Sequence, residues 1–265
     1  MTYHLKTAIK AARDSGIYIK NKVGKIGRLE YKSATNLVTD IDKGSETKII
    51  KTLRKAFPEY SILTEERGSI GKDICGYKWV VDPLDGTTNF AHGFTFFCVS
   101  IALEHNGEAV VGVVFDPMRD ELFHAEKGKG AFLNGKKIRV SSIREIKRSL
   151  LSTGFAYNFR EQKRNNFDNF MNFYSLSQGV RRCGSAALDI SYTACGRFDG
   201  FWEMNLRPWD TAAAVLILKE AGGAVSRFDG SGFSNYGKEI LVSNRHVHRQ
   251  MTKVLNMRKK RCLKY

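Results

Sequence analysis

Apolar residues recur along this chain with two different spacings, which predict where helices and strands lie. Four apolar residues near the start follow helical spacing: Leu5, Ile9, Ala12 and Ile19. A second helix is expected over about residues 43–57, ending before Pro58. Residues 21–36, which include Lys32, are rich in Lys and Gly and aperiodic, which predicts a mobile loop.

The middle of the chain consists of short apolar runs that are typical of paired strands. Trp79, Val80 and Val81 are β-branched or aromatic and predict a buried strand. Two longer apolar runs are joined at Asn106-Gly107, a strong hairpin signal, and a further turn is expected at Asn134-Gly135. We therefore expect an antiparallel sheet in the N-terminal half.

From about Ser149 onward, strand-like and helix-like segments alternate. Three strands ("LLSTGF", "FDGFWEM", "EILVSN") alternate with helices that include "GSAALDISYTACG" and "DTAAAVLILKEAGG". Such alternation favours a more parallel, mixed sheet. The chain is therefore expected to combine an α+β half over residues 1–145 with an α/β half over residues 146–265, with the site between them.

Composition and charge narrow the class of protein. The 265 residues are 42% hydrophobic and 26% charged, as in ordinary soluble globular proteins. The longest apolar stretch, residues 94–103, is far shorter than the roughly 20 residues of a membrane helix. The first residues show no signal-peptide pattern, so a cytoplasmic location is expected. Five scattered cysteines indicate free thiols, and neither they nor the six histidines suggest zinc. The net charge of +16 favours anionic partners, among them phosphorylated metabolites, nucleic acid and acidic proteins.

The segment "WVVDPLDGTTNF" carries the clearest candidate chemistry. A strand runs into Asp82, Pro83 then forces a turn, and the turn can direct Asp82 and Asp85 at the same small volume. Two such carboxylates repel each other unless a cation lies between them, and hard oxygen ligands suit Mg²⁺. Gly86-Thr87-Thr88 could open a helix whose N–H groups bind an anion. The same residues are also ordinary turn chemistry, with Asp85 as a helix N-cap.

Further acidic residues follow other apolar runs. Glu65 and Glu66 follow a short apolar run, Asp42 closes another, and Asp210 begins a strongly apolar helix. Taken singly, the two glutamates could be surface acids, and the two aspartates could be N-caps. Taken together with Asp82 and Asp85, they indicate a shared metal cluster.

These segments resemble the inositol monophosphatase family. The resemblance rests on "DPLDGTTNF" and "WDTAAAVLILKEAGG", preceded by "LVTDID" and "TEE", and it covers nearly the whole chain. It implies a layered α-β-α-β-α sandwich, usually assembled as a homodimer, and a Mg²⁺-dependent, lithium-sensitive phosphatase. One departure is Thr64, which replaces the glycine that often precedes the two glutamates.

The resemblance also implies roles for individual residues. Glu65, Asp82 and the Leu84 carbonyl correspond to ligands of a first Mg²⁺, and Asp82, Asp85 and Asp210 to ligands of a second; a third, weaker ion is expected near Glu65. The implied catalytic residues are Asp42, Thr87 and Glu65, of which Asp42 and Thr87 activate the attacking water. The Gly86 and Thr87 amides would bind phosphate. The implied substrate contacts are Asp85, Gly184, Ser185, Ala186 and Glu203.

The implied reaction is hydrolysis of inositol 1-phosphate by metal-activated water. Fructose 1,6-bisphosphate and 3′-phosphoadenosine 5′-phosphate remain alternative substrates, although the Glu203 carboxylate favours a polyol monophosphate because it would repel a second phosphate. A binding role is the alternative from another class. Some bacterial members of this family associate with RNA polymerase and ribosomal RNA transcription complexes, and the positive charge suits an acidic partner.

Overall fold

A computed structural model of the chain describes residues 1–25, 29–31, 37–72, 75–156 and 165–257, with the backbone alone for 29–31 and 37–39. In these ranges the helices are α1 (Tyr3–Lys20), α2 (Asp40–Ala56), α3 (Thr87–Ala91), α4 (Phe167–Leu176), α5 (Ala186–Ala194), α6 (Pro208–Glu220) and α7 (His248–Leu255). The strands are β1 (Leu29–Tyr31), β2 (Leu37–Thr39), β3 (Ser61–Thr64), β4 (Gly68–Ile70), β5 (Tyr77–Asp85), β6 (Cys98–His105), β7 (Glu108–Asp116), β8 (Glu121–Glu126), β9 (Ala131–Leu133), β10 (Lys136–Lys137), β11 (Leu150–Thr153), β12 (Gly179–Arg181), β13 (Gly200–Met204), β14 (Ala224–Ser226) and β15 (Glu239–Ser243).

Helices α1 and α2 form an outer layer, as their apolar spacing predicts. They run antiparallel, because His4 near the start of α1 stacks on Phe57 after α2, whereas Tyr18 near the end of α1 lies beside Gly44. Their buried apolar residues pack with β5, β6 and β7 in one core. Helix α2 begins at Asp40, three residues before the predicted start, so Asp42 lies in its first turn.

The larger sheet has eight strands in the order β10-β9-β8-β7-β6-β5-β3-β4. Its pairs are antiparallel, as predicted, except that β3 runs parallel to β5. The hairpin at Asn106-Gly107 is confirmed: both residues have positive φ, at 52° and 81°. The predicted strand at Trp79 continues to Asp85, with a break in register between Asp82 and Asp85. An irregularity within the strand therefore replaces the expected exit from the sheet.

The smaller sheet has five strands in the order β12-β11-β13-β15-β14. Strands β12, β11 and β13 are parallel, and β15 is antiparallel to both β13 and β14, which confirms the predicted mixed sheet. Strands β12 and β14, each of three residues, are not predicted from the sequence.

The layers follow from these contacts. Helices α5 and α6 lie between the two sheets and share one core with both of them. Helices α4 and α7 pack on the other side of the smaller sheet, around Phe173, Trp202 and Met251. The predicted α-β-α-β-α sandwich is thereby confirmed. The boundary at residue 145 stays a prediction.

Three sequence expectations concern segments that are only partly described. The prediction of an aperiodic loop over residues 21–36 is wrong for Leu29–Tyr31, which form β1 and pair with β2. Lys32, and the four consecutive basic residues 258–261 that contribute to the net charge, lie outside the described residues. Among the helices described, none combines the length and the apolar character that a membrane span requires.

Candidate active site

A cavity of about 100 Å³ opens where the ends of β3, β5 and β13 meet the starts of α5 and α6. It is lined by Glu65, Asp82, Leu84, Asp85, Gly86, Thr87, Gly154, Phe155, Arg182, Gly184, Ser185, Ala186, Asp189, Glu203, Leu206 and Asp210. The structure therefore brings together all of the site residues expected from the sequence except Asp42, which lies directly behind Thr87.

Asp82 lies at the irregular end of β5 and is buried. One of its oxygens, Oδ1, accepts the N–H of Leu84 at 2.9 Å. Burial raises the pKa of this carboxyl well above its usual range, and repulsion from Glu65, Asp85 and Asp210 adds to the rise. In the absence of a cation the cluster thus opposes its own ionisation.

Asp85 links the two halves of the chain. Its Oδ2 accepts hydrogen bonds from the Ser185 hydroxyl at 2.6 Å and from the Ala187 N–H at 2.8 Å, both at the start of α5. Burial raises the pKa of Asp85 to about 6, although these hydrogen bonds oppose the rise. Asp85 does not cap α3, because Gly86 occupies the N-cap position without a side-chain cap. The N-cap alternative is therefore wrong for Asp85.

Asp210 is the third residue of α6 and not its N-cap. Its Oδ2 accepts the N–H of Arg207, the N-cap residue, at 2.6 Å. Burial and repulsion from Asp85 and Glu65 raise its pKa well above the usual range. The N-cap alternative is therefore wrong for Asp210, whose side chain instead binds the N–H of the N-cap residue and lines the cavity.

Of the two glutamates after β3, Glu65 lines the cavity. The turn that carries them is held by Glu46, a buried acid of α2 that the sequence analysis missed. The Glu46 Oε1 accepts the N–H groups of Glu66 and Arg67 at 3.2 Å, and Oε2 lies 3.0 Å from the Arg67 Nε. The sequence signal for Glu46 was an acidic residue at one of the inward-facing positions of α2.

Thr87 and Asp42 form a buried pair beside the acidic cluster. The Thr87 hydroxyl donates to Asp42 Oδ1 at 2.8 Å and also lies 3.0 Å from the Leu84 carbonyl oxygen. Asp42 is buried in the first turn of α2, which begins at Asp40, so the N-cap alternative is wrong for Asp42. Gly86 has a φ of 99°, and a Cβ there would lie 2.9 Å from the Phe96 carbonyl oxygen. The turn therefore requires glycine.

The end of the cavity away from this cluster contains Glu203 on β13. The Glu203 carboxylate packs against Gly154, where any Cβ would overlap it. Burial raises the pKa of Glu203 to about 8, while Arg182 opposes the rise. The lining residues that sequence reasoning missed are Arg182, Asp189, Gly154, Phe155 and Leu206. The signal for Asp189 was an acidic residue inside the apolar helix α5.

The donor set of the cavity fits a hard divalent cation. Within the described ranges, no three His, Cys, Asp or Glu side chains are positioned as a ready-made coordination group. Six carboxylates nevertheless line the one cavity, and burial together with the neighbouring acids raises the pKa of Asp82 and Asp210. A bound cation would remove this repulsion, and oxygen-only donors suit Mg²⁺.

Comparison with known proteins decides the family. A sequence profile described as the Inositol monophosphatase family matches residues 1–260. The chain belongs to the inositol monophosphatase family. An inositol-1-monophosphatase of Synechocystis sp. is 42% identical over 252 residues, covering 95% of this chain and 88% of the relative. The Nus factor SuhB of Pseudomonas aeruginosa is 45% identical over 235 residues, covering 86% of each.

The fold of this inositol monophosphatase family member agrees with solved structures. An inositol monophosphatase from Anabaena (Nostoc) sp. superimposes with a TM-score of 0.88 at 43% identity, covering 95% of this chain and 94% of that one. Family membership and these relatives indicate an inositol monophosphatase or a related phosphatase. The family is generally dependent on metal, namely Mg²⁺.

Proposed function

We propose that this protein hydrolyses phosphate monoesters of polyols in a Mg²⁺-dependent reaction, with inositol 1-phosphate as substrate. The observation that carries the proposal is the convergence of Glu65, Asp82, Asp85 and Asp210 on one cavity beside the Thr87–Asp42 pair. The family and the named relatives support the phosphatase class.

The acidic residues are proposed to hold the metal. Glu65, Asp82, Asp85 and Asp210, together with the Leu84 carbonyl, would bind two to three Mg²⁺ ions. When bound, Mg²⁺ supplies Lewis acidity that lowers the pKa of water and offsets phosphate charge. The hydrogen bonds from Ser185 and Ala187 fix the orientation of Asp85, so that this carboxylate is positioned in advance.

The Thr87–Asp42 pair is proposed to accept a proton from water. Because Thr87 donates its own hydrogen to Asp42, its oxygen retains lone pairs that can accept another. The buried Asp42 carboxylate would stabilise the positive charge that develops during this transfer. The amides of Gly86 and Thr87 are proposed to bind phosphate oxygens, since the left-handed turn at Gly86 brings the chain close to the cavity.

Glu203 is proposed to contact the alcohol part of the substrate, together with Asp85 and the segment Gly184, Ser185 and Ala186. A buried carboxyl group can hydrogen bond with sugar hydroxyls, and in its ionised form it would repel a second phosphate. This favours a polyol monophosphate over fructose 1,6-bisphosphate or 3′-phosphoadenosine 5′-phosphate.

The test is phosphate release from inositol 1-phosphate, fructose 1,6-bisphosphate and 3′-phosphoadenosine 5′-phosphate, each with Mg²⁺ and with EDTA. We expect the highest kcat/KM for inositol 1-phosphate and no turnover in EDTA. A preference for either of the other two substrates would contradict the substrate assignment. Full activity in EDTA would contradict the metal assignment.

We also propose an association with transcription complexes through an anionic partner. Relatives are named Nus factor SuhB, and the outer faces of α1 and α2 are strongly basic. Ten exposed Lys and Arg residues lie on or next to these helices: Lys6, Lys10, Lys20, Lys22, Lys25, Lys43, Lys48, Lys51, Arg54 and Lys55. The exposed acids of the same segments, residues 1–25 and 40–56, are Asp14 and Asp40.

A charge-matched pair of variants tests this second role. One replaces Lys6, Lys51, Arg54 and Lys55 with Gln, and its control replaces the exposed residues Lys136, Lys137, Arg148 and Lys238. If the helical face binds RNA, the first variant should reduce the slope of log K against log salt by up to about 3 for a single strand. Fluorescence anisotropy with a labelled RNA measures this slope. Equal effects of the two variants would assign the binding to net charge alone.

A homodimer is proposed as the assembly. Five large apolar side chains are exposed on α4 and before β6: Phe94, Phe167, Met171, Tyr174 and Leu176. Exposed apolar side chains of this size often mark an interface. Light scattering after size-exclusion chromatography gives the mass, and a monomer at micromolar concentration would contradict the proposal.

A further inference from the structure

Asp189 is a buried acid in the cavity wall that no role described so far uses. It lies in the first turn of α5 with about 1% of its surface exposed. Among the described residues its Oδ1 has no hydrogen-bond partner. The Cys183 thiol is hydrogen-bonded to the same carboxyl, which leaves one oxygen unsatisfied.

An unsatisfied buried carboxyl oxygen is costly, so it indicates a missing partner. The Oδ1 atom has no exposed surface in the empty cavity, but Asp189 itself lines that cavity, so a small rotation of its carboxyl group would present an oxygen to a group bound there. Electrostatically, Asp189 interacts with Glu203, Asp85 and Arg182. Because two of these three neighbours are acids, the adjoining space disfavours a second anion and accepts a neutral hydroxyl.

Asp199 shows what a structural buried aspartate looks like in the same half of the chain. It is about 6% exposed, and both of its carboxyl oxygens are used. Oδ1 accepts from the Ser141 hydroxyl, and Oδ2 accepts from the Leu150 N–H at 2.8 Å. The two residues differ in hydrogen bonding more than in burial, and Asp199 does not line the cavity.

We propose that Asp189 is a further specificity-determining residue that hydrogen bonds a hydroxyl group of the substrate alcohol beside Glu203. The preferred substrate is then a phosphate monoester whose alcohol carries several hydroxyls near the ester. This inference rests on the proposed phosphatase function, and it adds a residue that the family resemblance did not indicate.

Thermal stability without ligand gives the first test. We expect Asp189→Asn to leave the melting temperature of the EDTA-treated protein unchanged or raised, because the variant removes a buried acidic charge that Glu203 and Asp85 repel. The matched control Asp199→Asn should lower it, because it breaks satisfied hydrogen bonds. An equal fall in both variants would make Asp189 structural and overturn the proposal.

Kinetics give the second test. In Asp189→Ala the KM for inositol 1-phosphate should rise about tenfold or more, the size expected for a lost hydrogen bond to a charged group. With p-nitrophenyl phosphate, which has no hydroxyls, kcat/KM should stay within about twofold of the parent. Parallel losses on both substrates would contradict a role in recognising the alcohol. If the alanine variant does not fold, Asp189→Asn serves in its place.

Binding of myo-inositol without phosphate separates this inference from the proposed reaction. Calorimetry should detect binding to the parent protein and at least about tenfold weaker binding to Asp189→Ala. A parent that hydrolyses p-nitrophenyl phosphate but binds no inositol overturns the Asp189 proposal and leaves the phosphatase assignment intact. A parent that binds inositol through Asp189 but hydrolyses no phosphate ester supports the Asp189 proposal and overturns the phosphatase assignment.

Discussion

Buried acidic residues occur in two settings in this protein. Outside the cavity, each of four buried acids has its own partners. Glu46 is held by Arg67, and Glu104 by Lys78 and the Tyr236 hydroxyl. The other two pairings join Asp116 to Arg119 and Asp199 to Ser141 and Leu150.

Inside the cavity, the acids mainly face one another. Burial raises the pKa of Asp82, Asp85, Asp189, Glu203 and Asp210. Among the residues described, none of these five forms an ion pair with Lys or Arg. Their repulsion costs folding free energy as long as no cation or hydroxyl compensates for it.

The difference separates acids that stabilise the fold from acids that are arranged for a ligand. Removing a paired acid should lower stability and spare activity, whereas removing a cavity acid should spare stability and abolish activity. A trade-off of this kind is expected where a site is built from mutually destabilising groups.

The largest effect is expected for Asp85→Asn. Activity should fall by at least roughly 10²–10³-fold, the range seen when one preorganised electrostatic group is removed. The melting temperature without metal should be unchanged or raised, because a repelled charge is removed. Steady-state kinetics at saturating Mg²⁺ and a thermal melt in EDTA measure both quantities.

Asp116→Asn is the matched control for Asp85→Asn. It loses the charge opposite Arg119, whose Nη1 lies 2.9 Å from Asp116 Oδ2, so its melting temperature should fall while kcat is retained. If instead Asp85→Asn turns over substrate at a near-normal rate, the metal role of Asp85 is wrong.

Glu104→Gln tests the buried acids that lie outside the cavity and have their own partners. Glu104 is fully buried and lies 3.2 Å from the Lys78 Nζ and 2.8 Å from the Tyr236 hydroxyl. Its neutralisation should cost about 2–3 kcal/mol of unfolding free energy, because a partly buried lysine loses its counter-charge. Urea unfolding measures the loss. A loss as small as that of an exposed residue would show that buried pairing contributes little here.

Glu203 predicts a pH dependence of stability in the metal-free protein. Its pKa is about 8 in the folded chain against an ordinary value of 4.5, so the folded state binds the proton more tightly. Stability from this group is fully present below about pH 4.5 and is lost as the pH rises through 8, by up to about 1.4 kcal/mol per pH unit.

The difference between the parent and Glu203→Gln isolates this contribution. Unfolding free energies from pH 5 to 8.5 in EDTA should show a steeper decline in the parent than in the variant. Parallel curves of unfolding free energy against pH would mean that the pKa of Glu203 is not raised, despite its burial against Gly154.

Much of the fold could be predicted from the chain because its apolar periodicities are local. The hairpin at Asn106-Gly107 and the strand at Trp79 follow from neighbouring residues. The short strands β12 and β14 could not be predicted, because three residues carry no periodicity and pairing across the sheet defines them. The continuation of β5 through Pro83 is likewise set by its neighbour β6.

The sequence predicts which acidic residues belong to the site, but it does not predict the hydrogen bonds that hold them in place. Acids at the ends of apolar runs identified Asp82, Asp85 and Asp210, which the fold brings to one cavity. The hydrogen bonds from Ser185 and Ala187 to Asp85 span about a hundred residues of sequence, so no local pattern reveals them. The sequence shows Asp189 only as an acidic residue in a helix, because its burial and its unsatisfied Oδ1 depend on the fold.

The smallest effect is expected for an acid that belongs to neither setting. Asp14 lies on the outer face of α1, 2.6 Å from the Lys10 Nζ, with about half of its side chain exposed. Water and salt screen such a pair, so Asp14→Asn should change the unfolding free energy by less than about 0.5 kcal/mol and leave kcat/KM unchanged. Chemical denaturation at low and high salt, beside Glu104→Gln, measures this. A loss equal to that of Glu104→Gln would show that an ion pair on the surface matters as much as a buried one. Burial would then no longer explain why the acids of this protein fall into two kinds.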